Sequence, residues 1–115
     1  MSHLGVEHII DLHGCDPEKL EDFDSVVRHM LNVAEHSGMT VIDTRFHKFS
    51  PHGISGVVVI SESHFAVHTW PEHHFAAFDF FSCDLSFDVG KVCEEIKKEF
   101  GGEIKLTTVM RGETT

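Results

Sequence analysis

The chain has 115 residues, of which 41% are hydrophobic, a size and make-up that predict one soluble domain with a single modest core. Nine Lys and Arg against 19 Asp and Glu leave a formal net charge of −10, which argues against nucleic acid and anionic membrane as partners, since both require a basic footprint. No apolar run approaches the roughly 18 residues of a membrane helix, and Met1-Ser2-His3-Leu4-Gly5 has no signal-peptide pattern, so a cytoplasmic protein is expected.

Ile9 to Leu12 reads as a short strand. Asp16 can cap a helix with Pro17 at its first position, and Glu18 adds negative charge to the first turn. Leu20, Phe23, Val27, Met30 and Ala34 then recur at intervals of three and four, Val26 and Val33 widen that face, and Gly38 supplies the stop. One helix is therefore predicted between Asp16 and Gly38. Thr40 to Phe49 reads as a strand of mixed alternation, followed by strands at Ile54–Ser61, Phe65–Trp70 and Ala76–Cys83. A second helix runs from about Phe87 to Phe100, with Val89, Val92, Cys93, Ile96 and Phe100 on one face and Gly101-Gly102 ending it. Glu103 to Met110 is the last strand. The order predicts an α+β two-layer sandwich, a mainly antiparallel sheet with two helices on one face. The other sheet face is left wet or for a partner to cover.

Residues 52–72 carry more than a buried strand needs. They hold Ser55 before Gly56, which permits close backbone approach, then the apolar run Val57 to Ile60, the Glu62-Ser63 pair, His64 and His68. Cys83 follows downstream. Serine, histidine and cysteine are the raw material of nucleophilic and acid–base chemistry. Cys15, Cys83 and Cys93 form no C-x-x-C pair, so reduced thiols are expected. A metal site built on His64, His68, His73 and His74 is disfavoured, because a strand sets the first two roughly 13 Å apart. Ser63 and His68 pose a second geometric problem. Five residues apart, they fall on opposite faces of a regular strand and roughly 16 Å from each other. Either the chain bends sharply, or the two act together only across subunits.

Phe46-His47-Lys48-Phe49, the 52–72 stretch and Cys83 closely resemble the prokaryotic S-adenosylmethionine decarboxylase proenzyme family. The resemblance runs from Leu4-Gly5 to Arg111-Gly112, nearly the whole chain. It implies self-cleavage between Glu62 and Ser63, giving a β chain of residues 1–62 and an α chain of residues 63–115. Ser63 would become a pyruvoyl group, the protein's own cofactor and the carbonyl that takes the substrate as a Schiff base. On the same resemblance His68 is the base for processing and Ser55 assists it. Cys83 donates a proton after decarboxylation, while Phe49 and Glu72 hold the adenine and ribose of S-adenosylmethionine. The family also implies a homodimer with shared sites, Ser63 and Cys83 from one subunit and Ser55 and His68 from the other. The product would serve spermidine synthesis, and the acidic net charge suits a cationic ligand.

The chain departs from the family pattern near the expected pocket. Glu72-His73-His74-Phe75 stands where Glu-Tyr/His-Gly-Tyr is common, Asp84 where glycine is, and Asp88-Val89 where Asp-Pro is. These changes leave two alternatives: a pyruvoyl-dependent decarboxylase of arginine or ornithine, and a non-catalytic dimeric binding or regulatory homologue.

Overall fold

Residues 2–114, the part that the computed structural model describes, form six strands and three helices. In chain order these are β1 (Ser2–His13), α1 (Pro17–Glu21), α2 (Phe23–His36), β2 (Val41–Lys48), β3 (Ile54–Ile60), β4 (Ser63–Trp70), a 3₁₀ turn (Pro71–His73), β5 (Phe75–Ser82), α3 (Val89–Phe100) and β6 (Glu103–Thr114). The sheet order is β2-β3-β4-β5-β1-β6, and every neighbouring pair is antiparallel. This is the α+β architecture expected from the sequence.

One expectation is corrected. The helix predicted between Asp16 and Gly38 is two helices, broken at Asp22. That residue is extended (φ −82°, ψ 116°), and its carboxylate accepts the Ser25 N–H at 3.0 Å. An aspartate in this role favours starting a new helix over continuing the old one. The spacing hides the break because Leu20, before it, and Val26, after it, are both buried in the same core. The first and last strands of the chain are also longer than their local patterns suggest. β1 and β6 pair from Ser2↔Thr114 to His13↔Glu103, so each lends the other a ladder of hydrogen bonds.

Alternation along the strands divides the sheet's two faces. Ile10, Leu12, Val58, Phe65, Val67, Phe78 and Phe80 point one way and pack with Val26, Met30 and Val33 of α2 and Val92, Ile96 and Phe100 of α3. On the opposite face Ile9, Val59, Trp70 and Val109 are exposed.

Two devices fix the middle of the sheet. Thr69 is buried; its hydroxyl donates to the Leu20 carbonyl and accepts the Ile54 N–H, each at 2.9 Å. That joins α1, β3 and β4 through one side chain. Gly56 lies opposite Phe46, whose ring covers it so closely that a Cβ there would sit 2.0 Å from a ring carbon.

Candidate active site

β3 and β4 meet in a hairpin whose loop is Ser61-Glu62. Ile60 faces Ser63, and the register carries down to Ser55 opposite His68. Ser55 Oγ and His68 Nδ1 lie 2.7 Å apart. When the hydroxyl donates, the ring proton sits on Nε2 and Nδ1 is the acceptor. His68 is on the face without helices and is exposed, so its ring is open to a second molecule.

Phe49 follows the end of β2. Its N–H donates to the Gly53 carbonyl at 2.8 Å, which closes the loop 49–53. Gly53 has a φ of 101°, a conformation that favours glycine. Glu72 sits in the 3₁₀ turn after β4, and the left-handed His74 (φ 52°) ends that turn with its N–H on the Pro71 carbonyl. Phe49, His52, Ser55, His68, Trp70 and Glu72 line one hollow of about 260 Å³. A second hollow of about 280 Å³ adjoins it at Ser55 and His68, with Phe46, Val57 and Ala66 also lining it. That His52 and Trp70 line the first hollow was not evident from the sequence. Their position inside the 52–72 stretch was the only available signal.

The other end of the hairpin holds Ser63 and Cys83. Ser63 has a φ of 155°, which residues other than glycine rarely adopt. Such outliers cost on the order of 1–3 kcal/mol and persist where the surroundings over-determine them. Ser63 is paired on both sides, with Ile60 of β3 and Ser82 of β5. The Cys83 N–H donates to the Glu62 carbonyl at 2.9 Å. Of the three free cysteines Cys83 is the exposed one. Burial pushes the thiols of Cys15 and Cys93 up, which makes both poor proton donors near neutral pH.

The candidate residues thus form two groups. Ser55, His68, Phe49 and Glu72 gather at one end of β4; Glu62, Ser63 and Cys83 gather at the other. Ser63 and His68 belong to the same unbroken strand, and five residues of strand span about 16 Å. The chain does not bend to bring the groups together.

The S-adenosylmethionine decarboxylase family matches residues 6–112 of this chain. The chain belongs to that family. Among its relatives, the S-adenosylmethionine decarboxylase proenzyme of Fervidobacterium nodosum is 44% identical over 100 residues, 87% of this chain and 73% of the relative. The proenzyme of Syntrophomonas wolfei is 42% identical over 113 residues, 97% of this chain and 90% of the relative. The crystal structure of the adenosylmethionine decarboxylase from Aquifex aeolicus matches with a TM-score of 0.89 and 27% identity, covering 100% of this chain and 96% of that one.

The departures from the family pattern have local structural uses. Asp84 accepts the Ser86 N–H at 3.0 Å and the Ser86 hydroxyl at 2.7 Å, while its own N–H donates to Ser82 Oγ at 3.0 Å. Its carboxylate is engaged in the turn after β5. Asp88 caps α3 by accepting the Lys91 N–H at 3.2 Å, with Val89 at the first position of the helix.

Proposed function

We propose that the chain is a self-processing, pyruvoyl-dependent S-adenosylmethionine decarboxylase. The observation that carries this reading is the Glu62–Ser63 peptide. In a chain of this family it holds a serine at φ 155° and a carbonyl already hydrogen-bonded to the Cys83 N–H. That N–H withdraws electron density from the carbonyl and favours the oxyanion formed when the Ser63 hydroxyl attacks. The Oγ–C bond forms, the peptide C–N bond breaks, and a proton passes from Oγ to the amine, leaving an ester. A base then takes the Ser63 α-proton, the Cβ–Oγ bond breaks, and Glu62 leaves as a carboxylate. Water hydrolyses the resulting dehydroalanine, after tautomerisation, to a pyruvoyl group and ammonia. The strained, serine-bearing turn fits this group, since its carbonyl carbons derive from Ser63 itself.

Once formed, the group supplies a carbonyl conjugated to an amide, an electron sink for decarboxylation. The chain's own residues position the substrate. Phe49 presents an aromatic face to adenine and to the sulfonium charge. The Glu72 carboxylate accepts hydrogen bonds from the ribose hydroxyls, and the exposed Cys83 thiol returns a proton to the substrate's α-carbon. The base for the elimination is His68, aligned by Ser55.

His68 lies at the far end of β4 from Ser63 in its own subunit, which supports a homodimer with shared sites. Two copies related by a two-fold axis, packed through their helix-free faces, place the Ser63 end of one against the His68 end of the other. The exposed Ile9, Val59 and Val109 give that face apolar area to bury. No described helix is long and apolar enough to cross a membrane, and we assign the enzyme to the cytoplasm.

Denaturing mass spectrometry of purified protein is expected to give fragments of 62 and 53 residues, the second without a free amine, while Ser63→Ala stays whole. Wild-type protein that remains full-length would overturn the cofactor. Amine products from S-adenosylmethionine, arginine and ornithine, offered side by side, decide the substrate. Release of agmatine or putrescine alone would overturn the assignment.

A further inference from the structure

We propose that Glu62 is a positioning residue for self-cleavage through its side chain, which Thr40 and Ser61 hold in place. The inference rests on the cleavage site proposed above. A two-residue hairpin tip normally projects into solvent, and its side chains are free. The Glu62 carboxylate is tied down instead. One oxygen accepts the Ser61 hydroxyl at 2.7 Å, and the other accepts the Thr40 N–H at 3.4 Å. Thr40 also returns a bond to the tip, its carbonyl accepting the Ser61 N–H at 3.0 Å. It is itself a fixed point. Met39, before it, is buried with its N–H on the Ala34 carbonyl at 2.9 Å, and Val41, after it, begins β2 opposite Ile60.

The tip is therefore gripped from both sides, by Thr40 next to β2 and by the Cys83 N–H next to β5. Both grips act on Ser61-Glu62, directly before the strained Ser63. An unfavourable φ relaxes unless neighbouring contacts prevent it, and here the Thr40 and Ser61 contacts act on the Glu62 side chain. They have a second consequence. A free Glu62 carboxylate could swing toward its own carbonyl, where it would oppose the oxyanion formed by Ser63 attack. Two donors hold that charge away from it.

The test is a cleavage time course by denaturing mass spectrometry on the full chain. Wild type, Ser63→Ala, Glu62→Ala, Glu62→Gln and Ser61→Ala are compared, with melting temperatures measured in the Ser63→Ala background. Glu62→Ala is expected to lower the first-order cleavage rate at least tenfold, with little change in melting temperature. Glu62→Gln keeps the shape and one acceptor oxygen, and is expected to recover most of the rate. A purely structural role would instead lower rate and melting temperature together, with no rescue by glutamine. Should Glu62→Ala melt below the assay temperature, Ser61→Ala decides. Removing that exposed hydroxyl should slow cleavage several-fold, and an unchanged rate would refute the proposal. Wild type that cleaves no faster than Glu62→Ala, both at a measurable rate, overturns this inference alone. Wild type that never cleaves overturns the cleavage site as well.

Discussion

The exposed His68 makes one side-chain hydrogen bond, with the Ser55 hydroxyl at 2.7 Å, and its ring lies 6.4 Å from that of Trp70. Removing the ring should therefore block a chemical step without disturbing the strand. His68→Ala is expected to slow self-cleavage by about 10²–10⁴-fold, the usual worth of a positioned acid or base. The acyl shift would still occur, so the ester should accumulate and hydroxylamine should cut it at Ser63; an uncut, hydroxylamine-resistant chain would place His68 earlier in the sequence. Phe49→Ala and Glu72→Ala should each reduce kcat/KM for S-adenosylmethionine by about 1–3 kcal/mol of transition-state stabilisation. Full activity in both would remove them from the pocket. Ser55 and His68 could be picked out in the sequence as chemical residue types in a tight stretch, whereas Phe49 and Glu72 came only from the family resemblance. The contact between Ser55 and His68 could not be picked out, although it follows from a single fact. Once Ser61-Glu62 is the loop, the hairpin must pair residue 60 with 63, and five steps on, 55 with 68.

Gly56 was legible as a point of close approach, but its partner, Phe46 on the neighbouring strand, was not. Gly56→Ala forces a Cβ to within 2.0 Å of that ring, and overpacking of this kind costs about 1–3 kcal/mol. A lower urea midpoint is expected, and an unchanged one would show that Phe46 can move aside freely. The polar pairs that join α2 to α3 across their apolar contact, His36 with Glu95 and His29 with Glu99, were not legible in the sequence. Glu95 is nearly buried and pairs with Lys98 at 3.0 Å, Lys91 at 3.3 Å and His36 at 3.3 Å. The hydrogen bond from Lys98, then that from Lys91, holds its carboxyl below the usual range against burial. Burial would raise Glu99, but hydrogen bonds from His29 and Asn32 outweigh it and the net direction is down. Burial lowers His8 as well. All three groups bind protons less readily when folded, so the unfolded chain takes up more protons on acidification and stability falls with pH. The contribution of His8 is complete above about pH 6.5, and those of Glu95 and Glu99 above about pH 4.3. Melting temperature should drop in two stages between pH 8 and 3. Glu95→Gln with Glu99→Gln should flatten the lower stage, and an unaltered curve would count against these pairs.

At the scale of the whole molecule, the separation of the two residue groups along β4 has a direct consequence. If each site is shared, two defective subunits can repair one another. Ser63→Ala and His68→Ala proteins, mixed and refolded, should form some dimers holding one complete site. That site contains Ser63 from the His68→Ala chain, so mass spectrometry should find the His68→Ala chain cut and the Ser63→Ala chain whole. Absence of rescue in a mixture shown to contain mixed dimers would place the site within one subunit. A melting temperature and a sedimentation coefficient that rise with protein concentration would provide independent support for the dimer.

The residue types of the chemistry, the α+β class and most element positions were set by the sequence alone, because amphipathic period and turn composition are local properties. Tertiary structure decided what those signals do not encode. It placed β1 between β5 and β6, which no neighbouring residue specifies, and it broke the first helix at an aspartate whose capping bond outweighed a continuous apolar period. It also put Thr40 and the Cys83 N–H against Glu62, from 22 residues before and 21 after along the chain. These contacts depend on how distant strands register, and a register is fixed only when the whole sheet closes on its core.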